Sequence, residues 1–224
     1  MFISGNGNDS SVWRGLVEDV QALGARTLLS DRAGLGNSAL FDLPYTVDAE
    51  AGALDKTIDV ARIEGPLVLV AHSYGGLIAT LLANRREDVA GIVYVDAIVP
   101  GELSQDMAQG VVAEYAPQFD AVRAQAPQLA AAIIPVVEAY PQTALRMQGV
   151  DIPADIPVIV LDAEQPNWSR AQDREQEARA TTAFVAASRA RTRRVAEGSG
   201  HRVMADRPDA VVQAIADVLG STPQ

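Results

Sequence analysis

The feature that most constrains the fold is an alternation of short apolar runs with amphipathic stretches. Most of the runs are followed by turn residues and then by apolar residues spaced three and four apart, as in a helix. This alternation predicts an α/β fold, with a mostly parallel central sheet of about six strands and helices on both faces. The candidate strands are residues 1–4, 26–31, 66–71, 91–96, 157–162 and 192–197.

One long stretch interrupts this rhythm. Residues 101–152 contain helical patterns but no convincing strand, and they follow the fourth predicted strand. We interpret them as a small helical cap inserted between the fourth and fifth strands. The expected organisation is therefore a core formed by residues 1–100 and 153–224, with residues 101–152 as the cap.

The composition limits the kinds of molecule that this chain can bind and the chemistry it can perform. The chain has 224 residues, 48% of them hydrophobic, which is enough for one sizeable core. Its formal net charge of −11 disfavours phosphate backbones and anionic lipid, so we expect neither a nucleic-acid nor a membrane partner. There is no cysteine, which excludes disulfides and thiolate chemistry. No apolar run of membrane-spanning length and no signal peptide is evident, and the expected location is cytoplasmic.

A serine stands where an apolar run breaks into a glycine-rich corner, in "LVLVAHSYGG" at residues 67–76. The aliphatic run predicts a buried strand, and Gly75 and Gly76 allow a sharp turn into an apolar helix. Ser73 has small residues two positions before and after it, so its hydroxyl can project above the sheet as a nucleophile. The same pentapeptide, taken alone, is equally typical of a serine that caps a helix.

A nucleophilic serine needs a base, and the chain offers two histidines. His201 lies in a loop of small residues after the last predicted strand, at the edge where parallel sheets bind ligands. An exposed loop histidine would show the same pattern. His72 is adjacent to Ser73, so we expect its ring to point away from the serine and to pack in the core.

The acid that orients the histidine has three candidates. Asp96 ends the fourth predicted strand, which lies beside the serine strand if neighbours follow chain order. Asp162 ends the fifth predicted strand, and Glu164 follows two residues later. A carboxylate at any of these positions could instead accept hydrogen bonds from turn amides, so the residues alone leave the choice open.

These motifs together resemble the α/β-hydrolase family. "VAHSYGG" is similar to its nucleophile elbow, "SDRAGLGNS" to its Asp-Arg-x-Gly-x-Gly-x-Ser turn, and "AEGSGHRVMADRPDAVVQAI" to its terminal histidine loop and helix. The resemblance implies Ser73 as the nucleophile and His201 as the base. "VYVDAIVP" is similar to the branch of the family whose acid ends the strand before the cap, which favours Asp96. The resemblance further implies that the backbone N–H groups of Asn6 and Tyr74 form the oxyanion hole.

The chain departs from the family pattern at three places. The elbow begins with Ala71 where glycine is usual, and Gln165 stands where many members place their acid. The family's first two strands are missing, because Met1 begins inside the third. The last departure predicts an unpaired sheet edge at Thr27–Ser30, which would be buried in a homodimer or would leave the protein prone to aggregate.

The resemblance implies a serine hydrolase that cleaves a small neutral or apolar ester or lactone through an acyl-enzyme, without a metal or organic cofactor. Two other classes stay open: a lyase or carbon–carbon bond hydrolase similar to the hydroxynitrile lyases, and a non-catalytic ligand-binding relative. Haloalkane dehalogenases use an aspartate nucleophile, and Ser73 disfavours them. Six residues are candidates for lining an apolar pocket, although ordinary packing of the cap on the core would explain each of them as well. They are Met107, Tyr115, Phe119, Tyr140, Met147 and Trp168.

Overall fold

A five-stranded parallel sheet forms the centre of the protein in the computed structural model, which describes residues 1–41 and 44–222. The strands lie side by side in the order in which the chain forms them, so each crossover leads to the neighbouring position. The α/β fold with a parallel central sheet is confirmed. The strands are β1 (Phe2–Ile3), β2 (Leu67–Ser73), β3 (Val89–Ala97), β4 (Val158–Ala163) and β5 (Arg191–Ala196).

The run at residues 26–31 is the one predicted strand that does not form. Only Leu29 makes a bridge, parallel to Phe2, while the Phe2 N–H donates to the Leu28 carbonyl at 2.9 Å. Since β1 itself is only two residues long, its partner has little backbone to pair with. The sheet therefore counts five strands, and the long helical stretch falls between the third and fourth of them.

Helices cover both faces of the sheet, which explains why the inner strands are apolar along nearly their whole length. On β3, Ile92 and Tyr94 belong to one apolar cluster, while Val93 and Val95 belong to the other. A short 3₁₀ segment, Ser10–Leu16, precedes the first α-helix. The α-helices are α1 (Val17–Ala22), α2 (Val47–Val60), α3 (Gly75–Arg85), α4 (Gln105–Tyr115), α5 (Phe119–Gln125), α6 (Pro127–Glu138), α7 (Tyr140–Met147), α8 (Ala171–Ala186), α9 (Val203–Asp206) and α10 (Pro208–Ser221).

Helices α4 to α7 occupy the stretch between β3 and β4. Tyr140 and Met147 of α7 belong to the same apolar cluster as the residues of β2 and β3, so these helices share one core with the sheet. The division into a core and a cap at residues 101–152 stays a prediction. In the described ranges, no helix combines the length and the apolar character that crossing a bilayer requires.

Candidate active site

Ser73 lies at the sharp corner between β2 and α3, with a strained backbone. Its φ is +53°, in the left-handed region that side chains other than glycine rarely adopt. The chain approaches this corner very closely, because a Cβ on Gly5 would lie 2.9 Å from the Ser73 Cβ. A Cβ on Gly76 would lie 2.4 Å from the Ile98 carbonyl oxygen. The glycines thus let three chain segments converge at the serine.

Asp96 reaches the same edge of the sheet through a β-bulge. His72 pairs with Val95 and Ser73 pairs with Ala97, which leaves Asp96 as the extra residue of β3. Its φ is +41°, again in the left-handed region. A bulge turns a side chain away from the regular alternation of a strand. The Asp96 carboxylate is consequently directed along the carboxyl end of the sheet rather than into either core.

The Asp96 carboxylate orients His201, which lies in the loop between β5 and α9. Asp96 Oδ2 is 2.6 Å from His201 Nδ1, and Asp96 Oδ1 accepts a hydrogen bond from the Ala163 N–H at 2.9 Å. A carboxylate can only accept here, so Nδ1 carries the proton and Nε2 is left as the basic atom. The Asp96 side chain is 6% exposed and that of His201 is 29% exposed, so the carboxylate is buried while the imidazole reaches the cavity.

The other two candidate acids are engaged elsewhere. Asp162 accepts a hydrogen bond from the Arg193 side chain, and burial raises the pKa of Asp162. Glu164 Oε2 accepts from the Gly198 N–H at 2.7 Å. Of the three candidates, Asp96 is the one that contacts His201.

His72 supports the site from beneath. Its Nε2–H donates to the His201 carbonyl oxygen at 2.9 Å, and the two ring centroids are 4.4 Å apart. Burial, followed by the nearby charge of His201, lowers the pKa of His72 to about 4. The His72 ring is therefore neutral at physiological pH and fixes the backbone of His201.

The two expected oxyanion donors lie beside Ser73. Asn6 follows the close approach of Gly5, and Tyr74 precedes the first residue of α3. Within the described ranges, neither backbone N–H donates to a protein acceptor, which leaves both for a ligand. The Tyr74 side chain points the other way and is fully buried, with its hydroxyl 2.8 Å from that of Tyr45.

A cavity of about 370 Å³ opens above Ser73 and His201, beneath the helices α4 to α7. Its wall is mostly apolar, and its polar side chains besides Ser73 and His201 are uncharged amides and two tyrosines, with the indole of Trp168. Within the described part of the chain, no hydrogen bond joins Ser73 to His201; such contacts often tighten only when substrate binds. Four of the predicted pocket residues line this cavity: Tyr115, Phe119, Tyr140 and Trp168.

Met107 and Met147, also expected in the pocket, do not line the cavity. Their exposed fractions are 0% and 6%, and both belong to the apolar cluster that joins helices α4 and α7 to the sheet. Spacing along a helix predicts which face of the helix a residue lies on but not how deeply its side chain is buried. The sequence therefore could not separate these two methionines from the cavity-lining aromatics.

A buried polar network behind the elbow was not predicted. Arg32 binds Glu50 through two hydrogen bonds of 2.6 and 2.7 Å, and the Tyr45 hydroxyl donates to the same carboxylate at 2.5 Å. Tyr45 also contacts the Tyr74 hydroxyl, so the network reaches the residue after the serine. The available signal was Glu50, a carboxylate on the apolar face of α2 next to Ala51.

Two carboxyl groups near Asp96, one buried and one half-buried, had no signal in the sequence. Glu102 is 2% exposed and accepts a hydrogen bond from the Val99 N–H at 3.0 Å; burial raises its pKa well above the ordinary value. Burial, with the charges of Asp96 and Asp162, raises the pKa of Glu177 to about 7. Among the described residues, no three histidine or carboxylate side chains are grouped to hold a metal ion.

The model of the alpha/beta hydrolase family matches residues 1–214 of this chain. YqjL of Bacillus subtilis, an uncharacterized protein, is 33% identical over 98 residues, which are 43% of this chain and 38% of YqjL. A haloalkane dehalogenase of Mesorhizobium japonicum is 33% identical over 110 residues, 49% of this chain and 35% of the dehalogenase. The chain thus aligns with less than two fifths of the length of either relative.

Solved structures share the fold over nearly the whole chain. An esterase from Thermogutta terrifontis matches with a TM-score of 0.67 and 20% identity, covering 98% of this chain and 88% of the esterase. A variant of AqdC, solved with its substrate to explain recognition and ring-cleavage of the Pseudomonas quinolone signal, matches with a TM-score of 0.68 and 19% identity, covering 99% of this chain and 90% of AqdC. At such identities the likeness extends to the fold alone.

Proposed function

Since the chain belongs to the alpha/beta hydrolase family, we propose that it is a serine hydrolase that cleaves small neutral or apolar esters or lactones. The observation that carries this proposal is the geometry of three residues. Ser73 stands on a strained corner, and His201 is held by Asp96 at 2.6 Å with its second ring nitrogen unprotonated. Ser73 and His201 line one cavity, so a bound carbonyl group would lie within reach of both.

The proposed reaction follows the roles of a catalytic triad. Ser73 Oγ attacks the carbonyl carbon while His201 Nε2 takes the hydroxyl proton, and the Asn6 and Tyr74 N–H groups stabilise the oxyanion. His201 then gives that proton to the departing alcohol, which leaves an acyl group on Ser73. A water molecule, deprotonated by His201, then attacks the acyl carbonyl; the bond to Ser73 Oγ breaks, His201 returns the proton to Ser73 Oγ, and the acid is released. Asp96 stays ionised and stabilises the imidazolium that forms twice in this cycle.

The substrate class is argued from the cavity. Its volume of about 370 Å³ suits a small molecule, and its wall is mostly apolar. The described residues that line it include no arginine, lysine, aspartate or glutamate, so none of them would pair with a charged substrate. The net charge of −11 further disfavours anions.

A cytoplasmic location stays a prediction, which fractionation of expressing cells would test.

A lyase or carbon–carbon bond hydrolase is the second candidate, because the same three residues can serve either chemistry. The ring-cleavage described for AqdC, a protein of similar fold, is the observation that favours it. Product analysis separates the two. An acid and an alcohol released from p-nitrophenyl butyrate support the esterase, whereas cleavage of a cyanohydrin or a β-diketone without ester turnover supports the alternative.

Replacing Ser73 by alanine tests the proposal. We expect ester turnover to fall by about 10⁶-fold, since loss of a triad nucleophile has that scale, while the circular dichroism spectrum stays unchanged. Asp96→Asn should cost about 10³–10⁴-fold. Asp162→Asn is the matched control and should cost much less, because Asp162 contacts Arg193 rather than His201. Activity above a few per cent in Ser73→Ala would overturn the assignment of the nucleophile.

A further inference from the structure

A second apolar cavity, of about 420 Å³, lies against the face of helix α6 adjacent to the one that lines the reaction cavity. Its wall is formed by small and apolar residues of α6 together with Leu40, Phe41 and Tyr45 from the loop before α2. Arg123 and Glu138 stand at this cavity and lie 3.7 Å from each other. Because this cation already has an acidic neighbour, the cavity suits an uncharged hydrocarbon segment better than an anion.

Ile134 is the residue that the two cavities share. It lines the reaction cavity and the second cavity, and it is itself only 3% exposed. Its neighbours on α6 each face one side, with Ile133 and Val137 at the reaction cavity and Pro135 at the second cavity. The Ile134 side chain is therefore the partition between two apolar spaces.

We propose that Ile134 determines substrate specificity by limiting the length of the hydrocarbon chain that can lie in the reaction cavity. The inference rests on the proposed function, since it concerns the substrates of Ser73. A chain that extends toward α6 meets the Ile134 side chain, although a further apolar space of about 420 Å³ lies behind it. Adding or removing one methylene group against such a wall changes discrimination by about 10–200-fold.

The test is the chain-length profile of kcat/KM for p-nitrophenyl esters from acetate to dodecanoate. For the native protein we expect a steep fall beyond medium chains. In Ile134→Ala the fall should move to longer chains, raising the ratio of decanoate to butyrate turnover by at least about 10-fold. The ratio is taken within one variant, so a general loss of folded protein cancels. Ile134→Val should give a smaller shift in the same direction.

Ile133→Ala is the matched control. It deletes the same atoms from the next residue of α6, but Ile133 lines the reaction cavity alone. Its decanoate to butyrate ratio should rise much less than in Ile134→Ala, because the reaction cavity grows by three carbon atoms but no passage to the second cavity opens. An equal gain in Ile133→Ala and Ile134→Ala would overturn the partition, as would native protein that already cleaves decanoate as well as butyrate.

Labelling of Ser73 separates this proposal from the proposed function. Alkyl p-nitrophenyl phosphonates of increasing chain length react with an activated serine without turnover, and mass spectrometry counts the adduct. If short phosphonates label Ser73 but Ile134→Ala labels no faster with long ones, the partition is wrong while the nucleophile stands. If no phosphonate labels Ser73 and no ester is cleaved, the proposed function itself fails.

Discussion

Two adjacent strands each place a strained residue at the site, Ser73 on β2 and Asp96 on β3. A residue other than glycine in the left-handed region costs about 1–3 kcal/mol, which the surrounding packing must offset. In both cases the strain directs a polar side chain out of the regular alternation of the strand. The sequence indicated the corner at Ser73, because flanking glycines signal it. It carried no sign of the bulge at Asp96, since a bulge depends on the register of two strands.

At the residue scale, His72 makes stability depend on pH. The pKa of His72 is lowered to about 4 in the folded protein, from the ordinary value of 6.5 that applies in the unfolded chain. As the pH falls below 6.5, the unfolded chain therefore binds a proton before the folded protein does. The neutral His72 therefore stabilises the folded protein above pH 6.5, and this contribution, about 3 kcal/mol, is lost as the pH falls through about 4. His72→Gln should remove that loss. Urea denaturation at pH 7.5, 5.5 and 4.5 measures it.

The comparison is made between the two proteins at each pH, because many carboxylates titrate in the same range. The free energy of unfolding of His72→Gln should lie below that of the native protein at pH 7.5 and approach or exceed it at pH 4.5. Glutamine can still donate to the His201 carbonyl oxygen, so activity should persist. Parallel stability curves for the two proteins would contradict the neutral, buried state of His72.

At the element scale, α3 packs against β3 only because Gly76 has no side chain. A Cβ there would lie 2.4 Å from the Ile98 carbonyl oxygen, which belongs to the backbone and cannot turn aside. Gly76→Ala should lower the free energy of unfolding by about 1–3 kcal/mol, the usual cost of overpacking, despite alanine's higher helix propensity. It should also lower ester turnover, since Ser73 would shift with α3. Thermal denaturation and a butyrate assay measure both effects.

Gly220→Ala provides the control within another helix. Gly220 lies in α10, and a Cβ there would meet nothing within 4 Å. The substitution should stabilise the protein by up to about 0.5–1 kcal/mol through helix propensity. If both variants changed stability equally, the close approach at Gly76 would not be the cause.

The five strands were predictable to within two residues at either end, because most of them are nearly continuous apolar runs. Residues 26–31 were predicted as a strand as well but form only the bridge at Leu29. Strand formation needs a partner as well as a pattern, and β1 offers two residues. The same limit explains why the Arg32–Glu50 network was missed: its partners are distant along the chain and meet only through tertiary packing.

At the scale of the whole molecule, the edge at Thr27–Ser30 bears on assembly. Leu28 directs its carbonyl oxygen toward Phe2, so the alternate residues, Thr27 and Leu29, present their backbone groups outward. We predict that this edge pairs with a second copy, giving sedimentation at twice the mass of one chain. Thr27→Lys should shift the protein toward monomer, because a charge on an edge opposes pairing.

Thr182→Lys adds the same charge at an exposed position on α8, away from this edge, and should leave the sedimentation unchanged. A native protein that sediments as a monomer at all concentrations would refute the predicted dimer. Equal effects of the two substitutions would assign the assembly to net charge instead of the edge.

The four helices α4 to α7 depart from the sheet after β3 and return before β4, in one uninterrupted length of chain. A single genetic exchange could therefore replace the selectivity of the molecule and leave its reactive groups untouched. The contacts that such a transplant would need to preserve include the Thr143 hydroxyl 3.5 Å from that of Tyr74 and the Arg146 ion pair with Asp48 at 2.6 Å. On the proposed function, chemistry and much of the choice of substrate would then be separately heritable traits.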